Sequence, residues 1–142
     1  MFVDASALVA LVLREPGHAE VERCLHAAPL RLISGLAVFE AVAAVARETR
    51  LPPQDVERLL DAFMVAAGIR AVPIAEDETR AALDAYRRFG AERGHPAKLT
   101  LGDCFAYACA KTRGVPLLFV GDDFIHTDIT PALPGPDQPG ST

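Results

Sequence analysis

At 142 residues, 51% of them hydrophobic, the chain is long enough for one domain with its own core and too apolar to be disordered throughout. No apolar run approaches the roughly 20 residues that span a bilayer, and the opening MFVDASALVALVLRE has no basic leader and carries Asp4 within its apolar part, so no signal peptide is expected. A formal net charge of −5 argues against a general nucleic-acid binder, and three cysteines without a CxxC pair (Cys24, Cys104, Cys109) suit reduced thiols in a cytoplasmic protein.

Phe2-Val3-Asp4 reads as a short strand with Asp4 at its end, followed by an apolar helix from Ala5 to Leu13 that Pro16-Gly17 closes. His18 to Ala28 is an amphipathic helix stopped by Pro29, and Leu30 to Ile33 a brief strand. Ser34 is a suitable N-cap for a helix from Gly35 to Glu48 that is apolar nearly all round and is therefore expected to be buried, with Glu40 its only charge before Arg47. Pro52-Pro53 opens a helix from Gln54 to Ala67 capped by Gly68, Ile69 to Ile74 is a strand, and Glu76 to about Arg93 a long polar-faced helix broken by Gly94-His95-Pro96. Thr100 and Asp103 have capping-box spacing ahead of the apolar run Cys104 to Ala110, with Lys111 and Arg113 in the last turn and Gly114 as a left-handed cap. Val115 to Val120 is a continuous apolar run of the kind found in strands covered on both faces, and it ends in Gly121-Asp122-Asp123. The Pro/Gly-rich residues 131–142 are expected to form a disordered tail after a domain spanning 1–130. Strands alternating with helices predict a three-layer α/β/α domain with a mainly parallel sheet of about four strands.

Most acids have a base three or four positions away on their own helix: Glu20 with Arg23, Asp55 and Asp61 with Arg58, Glu76 and Asp77 with Arg80, Asp84 with Arg87 and Arg88, Glu92 with Arg88. These are solvated faces. Glu40, flanked by Leu36, Ala37, Ala43 and Ala44, has no such partner, and a glutamate on a buried helix costs several kcal/mol unless something compensates it. Asp4 likewise lacks a nearby base. Asp103 can serve as a capping acid and Asp122 and Asp123 as turn residues. Yet Asp4, Asp122 and Asp123 end strands while Glu40 and Asp103 lie near helix starts, so one sheet edge could collect them all, and in parallel sheets that edge is where ligands bind. Such carboxylates repel unless a divalent cation joins them. Hard oxygen donors, with His18, His26, His95 and His126 showing no paired spacing, favour Mg²⁺ or Mn²⁺ over Zn²⁺. That chemistry suits phosphodiester hydrolysis, and the cation offsets the unfavourable charge toward a polyanion.

The pattern Val3-Asp4-x-Ser6-Ala7, Glu40 inside an apolar helix, Gly102-Asp103-Cys104 and the run Leu117 to Ile129 together resemble PIN-domain ribonucleases, most closely the VapC-type toxins of bacterial toxin–antitoxin pairs, over residues 1 to about 130. The resemblance implies a Mg²⁺-dependent endoribonuclease, with Mn²⁺ able to substitute. Its substrate would be structured RNA such as tRNA or rRNA, its inhibitor a VapB-type antitoxin protein, and its assembly a homodimer or a hetero-oligomer with that antitoxin. It assigns Asp4, Glu40 and Asp103 to the first three family acids, Asp4 and Asp103 as direct metal ligands, and Ser6 to the small hydroxyl residue that supports the site. The fourth acid is Asp122 or Asp123, with Asp122 preferred as nearer the strand end. The basic residues of Tyr86 to Leu99 (Arg87, Arg88, Arg93, His95, Lys98) are candidates for RNA phosphates, or simply a solvated helix end.

Rival readings remain at this point. A structure-specific DNA nuclease could use the same acids, although the chain lacks a helical arch or basic surface. A phospho-accepting receiver would need a lysine where Gly121-Asp122 stands, and a catalytically inactive interaction module would have no need of all these acids.

Overall fold

The computed structural model describes residues 1–134. Among them, four short strands, β1 (Phe2–Val3), β2 (Leu32–Ser34), β3 (Arg70–Val72) and β4 (Leu117–Leu118), alternate with six helices, α1 (Ala5–Leu13), α2 (His18–Ala27), α3 (Gly35–Thr49), α4 (Pro53–Ala67), α5 (Glu76–Phe89) and α6 (Leu101–Arg113). The strands pair in the order β3-β2-β1-β4, every neighbour parallel. No helix of the described residues is long and apolar enough to cross a membrane.

The pleat sorts the core. Phe2 stands beside both Leu32 and Leu117, and these three pack with Ala85, Phe89, Cys104 and Tyr107 beneath α5 and α6. Their strand successors Val3, Ile33 and Leu118 face the opposite side, against Leu8, Leu25, Ala41, Val45 and Leu60 of α1 to α4. The result is the expected three-layer α/β/α arrangement. Because all four strands are parallel, the residues following β1, β2 and β4 gather at one edge, which α1, α3 and α6 enter by their first turns.

Several elements differ from expectation, each for a local reason. The helix expected to run to Arg93 ends at Phe89. Gly90 is extended there, and a Cβ at this position would lie 2.5 Å from the Tyr86 carbonyl oxygen, so the chain can turn only with glycine. A 3-10 turn at Ala91–Arg93 follows, and Leu99 N–H donates to the Phe89 carbonyl at 2.8 Å, bringing the chain back to α6. The apolar runs 69–74 and 115–120 contribute only three and two paired residues. α3 is not buried all round: Ala37, Ala41 and Val45 face the core, whereas Phe39 is 72% exposed. Of the expected tail, residues 135–142 lie outside the described residues. Pro131 and Ala132 run beside β4, with Leu117 N–H donating to Thr130 O at 2.9 Å and Ala132 N–H to Leu117 O at 2.8 Å, so the packed chain continues past 130.

Candidate active site

Asp4 follows β1 and caps α1. Its Oδ2 accepts from both the Ser6 hydroxyl, at 2.6 Å, and the Ser6 N–H, at 3.1 Å. Ser6 Oγ in turn accepts from Val120 N–H at 3.0 Å, so one hydroxyl ties the start of α1 to the chain leaving β4 and fixes Asp4 between them. Asp4 is only 6% exposed. Burial pushes its carboxyl up to about 6, with the Asp103 charge adding to the rise and the Ser6 hydrogen bonds opposing it.

Asp103 occupies the third position of α6. Its Oδ2 accepts from Thr100 N–H at 3.0 Å while Thr100 Oγ1 accepts from Asp103 N–H at 3.3 Å, the reciprocal box that the Thr-x-x-Asp spacing predicts. Burial raises the Asp103 pKa, and the nearby charge of Asp123 raises it further.

Glu40 reaches the same place from α3. Its carboxylate lies so close to Gly102 that a Cβ there would fall 2.1 Å from Oε2 and 2.5 Å from Cδ. A glycine in the first turn of α6 is therefore what lets the Glu40 carboxylate rest at that helix N-terminus, where the backbone dipoles favour a negative charge. Burial, then the charges of Asp4 and Asp103, push Glu40 up to about 7. Among the described residues none of the ion pairs involves Asp4, Glu40, Asp103, Asp122 or Asp123. Three carboxylates thus share an edge, with no basic side chain of the described residues paired to any of them.

Of the two candidates for the fourth acid, Asp123 is the one whose charge raises Asp103. Asp122, preferred from the sequence, instead lines a separate cavity of about 610 Å³ with Gly17, Glu20, Phe119 and Phe124. Asp128, from the same run, is remote in role: Tyr107 Oη donates to it at 2.5 Å, and Arg88 and Lys111 lie 3.3 Å away. Although burial alone would raise it, these partners hold Asp128 down at about 2. Arg88 and Arg87 are also paired with Asp84 on the exposed face of α5. The pair expected between Glu92 and Arg88 does not form, since Arg88 is drawn to Asp128 and Glu92 accepts from Tyr86 Oη at 3.3 Å.

Sequence reading did not explain Gly102, nor did it single out the buried Glu78. The latter holds Arg113 at 2.8 Å and clamps α5 to α6. Local spacing carries no signal for either contact, because both join helices far apart in the chain.

The donor set fits a hard divalent cation. The carboxylates cluster without nitrogen or sulfur ligands, and the one adjacent thiol, Cys104, is pushed up to about 11 by burial and by Asp103. No three His, Cys, Asp or Glu side chains among the described residues are gathered tightly enough to hold an ion alone.

Comparison with known proteins matches the PIN domain family over residues 1–129. The chain is also 42% identical over 132 residues to ribonuclease VapC42 of Mycobacterium tuberculosis, an alignment covering 93% of this chain and 98% of the relative. It belongs to the VapC ribonucleases, a PIN-domain family. A VapC ribonuclease of Rhizobium meliloti (strain 1021) is 41% identical over 139 residues, covering 90% and 98%. The crystal structure of Mycobacterium tuberculosis VapC20, described as a sarcin-ricin loop cleaving toxin, superimposes with a TM-score of 0.72 at 18% identity, over 94% of this chain and 98% of that one, and shares the fold. Membership of this family places the chain among metal-dependent endoribonucleases, hydrolases of the phosphodiester bond.

Proposed function

We propose that the chain is the toxin of a toxin–antitoxin pair, a Mg²⁺-dependent endoribonuclease that acts in the cytoplasm on structured RNA such as tRNA or rRNA. The observation that carries this reading is the meeting of Asp4, Glu40 and Asp103, all with raised pKa values and no basic partner, at the carboxyl edge of a parallel sheet. Asp4 and Asp103 would hold the metal: Ser6 and Thr100 already occupy one oxygen of each and fix the orientation of the other. When bound, the cation would supply a water of lowered pKa and offset charge building up on the scissile phosphate. Glu40, seated against Gly102, would orient such a water, and Asp123 completes the acidic rim as the fourth acid. The same acids explain the need for an inhibitor. An antitoxin Arg or Lys placed against Asp4 or Asp103 would satisfy them as the metal does, through charge-assisted hydrogen bonds.

Incubating purified protein with RNA in Mg²⁺ and in excess EDTA tests the reading. Cleavage is expected only with the metal, and undiminished cleavage in chelator would overturn it.

A further inference from the structure

The groove that leads away from the acids has a chemistry of its own. α1 and α3 both start at the carboxyl edge of the sheet and run in the same direction, so a furrow between them begins at the site and leaves it lengthwise. That furrow, a cavity of about 520 Å³, is lined at its near end by Ser6, Glu40 and Val120, and at its far end by Glu15 and Arg47. Between them Ala43 and Ala44 keep the floor low and Phe39 forms the lip.

One side chain there has no structural employment: Phe39 is 72% exposed although it adjoins Glu40. Outside the furrow Leu101, the neighbour of Gly102, is 68% exposed as well. A single exposed apolar residue is ordinary, but Phe39 is an aromatic ring that lines a groove together with a site acid. Arg47 lies on the same stripe of α3, at positions 39, 43 and 47, and is exposed. Among the described residues it makes no ion pair, even with Glu15. In a chain of net charge −5, an unpaired guanidinium in the groove that Glu40 also lines is a specific placement. Seven residues of helix separate Glu40 from Arg47, about 10 Å, a span of one or two nucleotides of extended strand.

We propose that this groove is a substrate subsite: a base flanking the scissile bond stacks on Phe39, and a phosphate further along the same strand binds Arg47. The proposal rests on the ribonuclease reading above. Its recognition is of strand and base face, not of base identity. Aromatic stacking tolerates every base, and Arg47 reads only a phosphate.

The test uses the full chain carrying Asp4→Asn, which is expected to bind without cutting, and a short mixed-sequence single-stranded oligoribonucleotide followed by fluorescence anisotropy. Phe39→Ala should weaken binding about tenfold, and Phe39→Trp should restore it. Arg47→Ala should weaken binding and reduce the slope of log affinity against log salt by about 1, with Arg47→Lys retaining the slope. Leu83→Ala, which removes an exposed apolar side chain on α5 (52% exposed), should change nothing. Affinity and salt slope unchanged in both Phe39→Ala and Arg47→Ala would overturn the subsite and leave the ribonuclease reading intact. If those variants bind RNA normally but change the elution volume of the protein, the stripe is a contact between copies and the subsite is wrong. A wild-type chain that cuts no RNA in Mg²⁺, beside an Asp4→Asn chain that binds none, would overturn the ribonuclease reading itself.

Discussion

Glu40→Gln in the metal-free protein separates a site residue from a structural one. Glu40 titrates at about 7 instead of 4.5 because it is partly buried and faces Asp4 and Asp103. A rise of that size corresponds to about 3 kcal/mol between its charged and neutral forms. Two effects reduce the figure. Partial solvent access screens the charge, and the N-terminus of α6, against which the carboxylate lies, favours it by about 0.3–1 kcal/mol. A net gain of about 1–2 kcal/mol is therefore expected when glutamine replaces glutamate at pH 7.5 in EDTA, a rise in melting temperature of about 4–8 °C. The pH dependence follows from linkage. Between about 4.5 and 7 the folded protein binds more protons at this position than the unfolded chain, so wild-type stability falls as pH rises through that window. The advantage of the glutamine variant should accordingly vanish near pH 4 and be complete above pH 7. Thermal melts across that range, beside RNA cleavage in Mg²⁺, measure both parts, and activity should fall by orders of magnitude. A glutamine variant that melts lower by several kcal/mol, the cost of breaking a buried ion pair, while still cutting RNA would refute the reasoning.

Gly102→Ala should show the same pairing of effects for a steric reason: alanine favours the helix by up to about 1 kcal/mol, so melting in EDTA should hold or rise. The new Cβ, 2.1 Å from Glu40 Oε2, displaces the carboxylate, and activity should drop at least tenfold. Asp123→Asn should impair cleavage far more than Asp122→Asn, because only Asp123 is coupled to Asp103; equal losses would count against this assignment. Asp128→Asn removes the anchor shared by Tyr107, Arg88 and Lys111, and denaturant titration should show a loss of about 1–2 kcal/mol.

What could be read in the chain beforehand was what local rules encode. Ser34 as a helix cap, the Thr100–Asp103 box, Gly68 and Gly114 as left-handed ends, and the α/β alternation all depend on neighbours a few residues apart, and all appear. The absence of a base near Glu40 was legible for the same reason. The seat of Glu40 against Gly102 was not, because it joins two helices that only the fold brings together. Arg88 illustrates the same limit. Helical spacing pairs it with Asp84 and Glu92, yet a tertiary partner 40 residues away, Asp128, displaces Glu92. The burial expected of α3 failed because an apolar surface records that a residue can be covered, not that this chain covers it. Phe39 is the outcome. The difference between Asp122 and Asp123 lies in the turn after β4, where Asp122 lines the cavity beside Phe119 and Phe124 while the charge of Asp123 reaches Asp103, contacts that spacing from the strand end does not encode.

Calorimetric titration of Mn²⁺ into the wild-type chain, Asp4→Asn and Asp103→Asn tests the central claim most directly, since it reads the ion without reference to any RNA. The account predicts saturable binding to wild type, strengthening as pH rises from 5 to 8 and the raised carboxyls ionise, with at least a tenfold loss in each variant and unchanged folding by circular dichroism. Equal affinity in all three proteins would contradict it.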